Sequence, residues 1–178
     1  VFWLDRSDAP EPAGPLSGGH TADLVVVGAG FTGLWAALQT VEADPGRRIV
    51  VLEAETAAFG ASGRNGGFCE ASLTHGLGNG LSHWPDEMPT LLQLGDENLD
   101  GLIDTIDRHS IDCDAERTGA MDVAVEQWQA DDLRTGADDC ARFGIDAELL
   151  DAGAVRAEVD SPTYLAGLWL RSSAAMVD

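Results

Sequence analysis

The residues best suited to chemistry in this chain are six consecutive ones, Gly28, Ala29, Gly30, Phe31, Thr32 and Gly33, and one carboxylate, Glu53. The glycines have the spacing of a turn that brings main chain against a phosphate group. Gly28 permits the sharp reversal, Gly30 removes the Cβ that would hold a diphosphate off the backbone, and Gly33 lets the following helix approach the preceding strand. A helix starting near Gly30 points its free N–H groups and positive dipole end at such an anion. Glu53 follows the glycines by roughly 20 residues, the spacing at which an acidic side chain can accept hydrogen bonds from a ribose.

These residues need particular elements to position them. Residues 21–27 form an apolar run that reads as a strand, and 30–41 follow with helical patterning. Asp44-Pro45-Gly46 ends that helix, because proline lacks the N–H and glycine tolerates the reversal. Residues 48–53 are the next parallel strand, whose continuous apolar centre suits a sheet covered on both faces. A glycine triplet alone is a weak signal. Strand, glycines, helix, second strand and terminal Glu together specify a dinucleotide site, without choosing FAD over NAD.

The choice comes from the glycine-rich segment after Glu53. Leu52-Glu53-Ala54, followed by Gly60-Ala61-Ser62-Gly63-Arg64-Asn65-Gly66-Gly67, resembles the FAD-dependent amino-acid and amine oxidoreductases of the D-amino-acid oxidase, glycine oxidase and sarcosine oxidase superfamily. It is most similar to the branch that includes gamma-glutamylputrescine oxidoreductase. The resemblance implies FAD held by Gly28 to Gly33, by Glu53 and Ala54, and by Ser62, Gly63, Arg64, Asn65, Gly66 and Gly67. Ser62 and the Gly63 backbone would contact phosphate or ribose, and Arg64 would frame the diphosphate. Asn65, Gly66 and Gly67 would lie toward the flavin, in a segment that opens a helix. For Arg64 the competing reading is a surface ion pair.

The implied activity is oxidation of the C–N bond of a small amine or amino acid to an imine, which hydrolyses to a carbonyl compound. The electron acceptor, oxygen or another, is left open, and no catalytic residue is assigned. Two readings compete: an FAD-linked dehydrogenase of hydroxy acids or glycerol phosphate with the same opening, and a truncated, non-catalytic nucleotide-binding module. No recognised pattern for covalent flavin attachment surrounds residues 64–68, so Cys69 reads as a small buried hydrophobe. His75 reads as a loop hydrogen-bonding residue before a catalytic one. Tyr164 and Trp169 read as packing aromatics before cavity-lining ones.

Composition bounds the rest. The 178 residues suffice for one sizeable domain or parts of two, and a start at Val1-Phe2-Trp3 with an end at Met176-Val177-Asp178 reads as an N-terminal piece of a longer protein. Residues 1–20 are an extended Pro- and Gly-rich leader with Trp3 as a packing anchor, 21–84 the start of an FAD domain, and 85–178 a helical segment and the start of a substrate domain. The expected class is α/β: a Rossmann-like parallel sheet followed by the first part of an antiparallel α+β domain. Within 85–178 the patterning predicts a helix over 85–113 and a hairpin of strands 111–117 and 120–126 turning at Thr118-Gly119. It then predicts a helix over 127–143 ending at Gly144, a short helix from an Asp151 N-cap to Glu158, a turn at 161–164 and a strand at 167–170.

Three widely spaced cysteines, Cys69, Cys113 and Cys140, form neither a metal-spaced cluster nor a disulfide framework, and they fit a reducing cytoplasm. No apolar run approaches the length of a membrane span. The net charge of -21, with 31 acidic residues against 10 basic ones that are all arginine, opposes binding to nucleic acid or anionic membranes.

Acidic residues spread along the whole chain also fit a surface adapted to high salt, where screening relieves self-repulsion; ordinary bias in an acidic protein is the competing reading. Salt adaptation predicts a melting temperature that rises from low to molar potassium chloride. A melting temperature flat or falling over that range contradicts it.

Overall fold

The computed structural model describes residues 12–177. Trp3 and the first half of the expected leader therefore lie outside the described residues, and residues 12–20 carry no helix or strand. The chain divides into two compact units, one ending at Gly66 and the other beginning at Gly67.

In the first unit, strand β1 (Leu24–Val27) enters helix α1 (Phe31–Ala43), and strand β2 (Ile49–Leu52) pairs parallel to β1 with Val25 opposite Val50. The strand-turn-helix-strand order is as the glycine pattern predicts. Asp23 joins the strand starts, its Oδ2 accepting from the Arg48 N–H at 2.8 Å. Asp44 closes α1, its N–H on the Thr40 carbonyl and its Oδ1 accepting from Gly46 N–H at 3.1 Å, the local turn that Pro45 and Gly46 require. Along β1, Val25 and Val27 are 52% and 83% exposed while their neighbours Leu24 and Val26 are half-buried.

The second unit opens with strand β3 (Phe68–Glu70), helix α2 (Leu77–His83) and the long helix α3 (Met88–His109). Strand β4 (Ala120–Ala124), helix α4 (Gln127–Phe143), strand β5 (Ala147–Asp151), helix α5 (Ala152–Glu158), strand β6 (Ala166–Leu170) and strand β7 (Ala174–Met176) follow. Three strands form an antiparallel sheet in the order β4-β6-β5, and β3 pairs antiparallel with β7. Residues 67–84, grouped from sequence with the first domain, thus pack in the second unit. The β3–β7 pair holds them there, with Ala71 buried against Leu99 of α3 and Ala175 of β7.

Where end signals are local, the predicted helices match. At the start of α4, Glu126 and Gln129 make reciprocal side-chain-to-backbone hydrogen bonds, and Gly144 ends the helix at φ 71°. The Asp151 carboxylate accepts from the Ala154 N–H at 2.8 Å, capping α5. Helix α3 is shorter than the expected span of 85–113, stopping where Ser110 turns left-handed at φ 51°.

The predicted hairpin at Thr118-Gly119 does not form. Glu116 instead exchanges both backbone hydrogen bonds with Met176 at 2.9 Å, Gly119 N–H bonds the Ala174 carbonyl, and β4 pairs with β6. Gly119, at φ 78°, passes so close to the chain after β6 that an added Cβ would meet the Leu170 carbonyl at 2.3 Å. Strands β3, β5 and β7 fall where the sequence pattern predicts none.

Trp169 is half-buried, with Nε1 donating to the Thr118 carbonyl at 3.3 Å and the Arg171 guanidinium 4.1 Å over its ring. Among the described residues no helix is long and apolar enough to cross a membrane, and no group of His, Cys, Asp or Glu could hold a metal ion.

Leu99 is 1% exposed at the centre of the packing that joins α3 to β3 and β7, whereas Leu94 on the same helix is 45% exposed. Leu99→Ala should cost about 2–5 kcal/mol in chemical denaturation, and Leu94→Ala less than about 1 kcal/mol. Equal losses at the two positions would contradict this packing.

Candidate functional site

The glycine turn has the geometry its spacing predicts. Gly28 sits at φ 100°, a region only glycine enters freely. Gly33 lies so close beneath β1 that a Cβ there would fall 2.0 Å from the Gly28 carbonyl and 3.1 Å from Val26 Cγ1. Gly30, the N-cap of α1, has extended backbone and no capping side chain of its own.

The first turn of α1 carries no acidic residue, so its amide charge is not neutralised from within the helix. The N–H of Phe31 is taken by Ser62 Oγ at 3.0 Å, and that of Leu34 by the Gly30 carbonyl. The N–H groups of Gly30, Thr32 and Gly33 make no hydrogen bond among the described residues. Unpaired amides at a positive helix end, beside a position without a Cβ, form a cradle suited to a diphosphate.

Ser62 binds the two glycine-rich segments together. An added Cβ at Gly30 would meet its Oγ at 3.0 Å. The hydroxyl accepts from Phe31 N–H and keeps its own proton to donate. Ser62 belongs to a single 3-10 turn, Ala61–Gly63, and not to the opening of a longer helix as the resemblance implied. The turn stops because Arg64 N–H closes on the Ala61 carbonyl, Asn65 Nδ2 donates to the Ser62 carbonyl at 2.6 Å, and Gly67 turns to φ 77° before β3.

Glu53, at the end of β2, turns its carboxylate onto backbone. Oε2 accepts from Ala29 N–H at 2.8 Å, and Oε1 accepts from Ala54 N–H at 2.8 Å and Glu55 N–H at 3.2 Å. These bonds hold the carboxyl below its ordinary value of 4.5; the Ala29 bond is the largest cause, followed by that to Glu55, with slight desolvation opposing and Ala54 adding. Of about four acceptor positions on an ionised carboxylate, these contacts occupy three and leave one for a ribose hydroxyl.

The structure brings Gly28 to Gly33, Glu53, Ala54 and Ser62 together, and aims Arg64 elsewhere. Its Nε donates to the Phe59 carbonyl at 2.8 Å and its guanidinium stacks 5.1 Å from the Phe59 ring. Arg64 forms no ion pair among the described residues either, so the surface-pair reading is replaced by this contact within the loop.

His75 is exposed at φ 58° and its ring makes no hydrogen bond among the described residues; Ser72, Thr74 and Asn79 hold that loop instead. Cys69 is half-buried against the Ala71 and Leu99 cluster, and burial pushes its thiol pKa up, with Cys113 adding. Sequence reasoning missed Ala58, whose N–H donates to the Ala29 carbonyl at 2.9 Å from a left-handed backbone at φ 59°. An alanine in that conformation leaves no signal in the sequence.

Comparison with known proteins gives the family. Residues 23–178 match the family model described as DAO, FAD dependent oxidoreductase. The chain is 38% identical over 171 residues to gamma-glutamylputrescine oxidoreductase of Escherichia coli K12, covering 94% of this chain and 39% of that protein. The fold is similar to glycine oxidase from Bacillus cereus, at TM-score 0.65 and 16% identity over 88% of this chain and 40% of that one. It is similar also to glycine oxidase from Geobacillus kaustophilus, at TM-score 0.65 and 22% identity over 89% and 41%. The chain thus spans about two fifths of the length of these relatives.

The lowered Glu53 pKa makes stability depend on pH. The group stabilises the folded chain in full above the ordinary value of 4.5, and that contribution is lost as pH falls through the lower folded value. Thermal unfolding of wild type and Glu53→Gln should therefore differ at neutral pH and converge in acid below 4.5. A gap that stayed constant across this range would remove the carboxylate from the account.

Proposed function

The chain belongs to the DAO family of FAD dependent oxidoreductases, and from that premise we propose that it supplies the adenosine-diphosphate end of the FAD site in an enzyme that oxidises the C–N bond of a small amine or amino acid. The observation that carries the cofactor reading is that the amides of Gly30 and Thr32 are unpaired beside a Ser62 hydroxyl held on the same helix end. In this reading those three groups bind the diphosphate. The free acceptor position of Glu53 takes a ribose hydroxyl, and Ala54, Gly63, Asn65 and Gly66 line the same loop. Arg64 would have to leave Phe59 to reach the diphosphate, so its part is to stiffen residues 59–64.

The flavin, when bound, accepts the hydride equivalent. The substrate loses that hydride from the carbon bearing nitrogen and a proton from nitrogen, giving an imine. Water then converts the imine to a carbonyl compound, releasing ammonia or an amine. The amine class rests on the kinship with gamma-glutamylputrescine oxidoreductase. The residues of this chain bind and orient the cofactor, and no proton transfer is assigned to them.

The full-length protein should purify with visible flavin absorbance or acquire it on adding FAD. That absorbance should bleach anaerobically with an amine or amino acid and persist with hydroxy acids. Protein that takes up no flavin contradicts the cofactor reading, and bleaching by hydroxy acids alone contradicts the substrate class.

A further inference from the structure

The glycine turn does not hold its own shape. Ala29, between the two glycines, is 5% exposed, and both of its backbone polar groups are bound by the chain that follows β2. Its N–H donates to Glu53 Oε2 at 2.8 Å, and its carbonyl accepts from Ala58 N–H at 2.9 Å.

A peptide group is planar and, when trans, points its C=O and N–H in opposite directions. Bonding the Ala29 carbonyl to Ala58 therefore fixes the opposite direction of the Gly30 N–H, one of the unpaired amides. Bonding the Ala29 N–H to Glu53 fixes the preceding peptide, where Gly28 at φ 100° would otherwise turn freely. The planes on both sides of the Ala29 Cα are thereby clamped, and Glu53 supplies the only side chain in that clamp.

We infer that Glu53 is a positioning residue for the phosphate-binding amides, in addition to any contact it makes with a ribose. The inference rests on the FAD reading above and adds a second role to one carboxylate. Three of its acceptor positions lie on backbone N–H groups and one is left over, so the two roles operate together. A glutamate that only read ribose would need none of the bond to Ala29.

The roles separate with two ligands: adenosine diphosphate, and the same molecule lacking both ribose hydroxyls. Each is competed against FAD on the full-length apoprotein, in wild type, Glu53→Ala and Glu53→Gln. Positioning predicts that Glu53→Ala weakens the hydroxyl-free ligand by about tenfold or more, with a smaller loss in Glu53→Gln. It also predicts faster hydrogen exchange at the Ala29 amide of the ligand-free Glu53→Ala protein, with exchange at Val26 and Val51 unchanged.

A loss seen with adenosine diphosphate but absent with the hydroxyl-free ligand would overturn the positioning role and leave Glu53 a ribose reader. If Glu53→Ala does not fold, unchanged Ala29 exchange and unchanged hydroxyl-free binding in Glu53→Gln would overturn it equally. Wild type that binds neither FAD nor adenosine diphosphate would bring down the FAD reading itself, a result distinct from either.

Discussion

The first unit depends on one close approach. Helix α1 lies against β1 at Gly33, with no room for a Cβ beside the Gly28 carbonyl. That contact brings the helix N-terminus directly over the end of the strand, which is where the amides of Gly30 and Thr32 emerge. Remove the approach and the amides would still exist, but no longer beside Glu53 and Ser62. The cost of a glycine inside a helix, about 1 kcal/mol relative to alanine, is accepted here for position.

A second constraint follows from backbone hydrogen bonding. The opening of any helix leaves amides to be satisfied, and this one satisfies them selectively. Phe31 receives a side-chain partner and Ala29 another, while Gly30, Thr32 and Gly33 receive none. The partners come from β2 and the loop after it, so the second glycine-rich segment completes the first. No acidic residue within the helix offsets this end, and the carboxylate beside it, that of Glu53, lies on the Ala29 N–H.

Much of this was legible in the sequence because the signals are local. Gly28 and Gly33 announce the turn and the close approach by type and spacing, and α4 and α5 announce an end and a start through Gly144 and Asp151. What was not legible depends on distant pairing. Residues 111–119 have a turn glycine suited to a hairpin, yet their backbone finds Met176 and Ala174 instead. Strands β3 and β7 are three residues each, too short for a pattern, and neither makes sense without the other. Arg64 had two open roles in sequence, and its contact with a carbonyl and a ring five residues away leaves no signal there.

If the two glycine-rich segments form one diphosphate cradle, a crystal structure of the full-length protein with FAD will show the diphosphate within hydrogen-bond distance of the Gly30 and Thr32 amides and of Ser62 Oγ, with the bond from Ala29 N–H to Glu53 intact. A diphosphate bound away from the N-terminus of α1, or a Glu53 carboxylate released from Ala29, would contradict it.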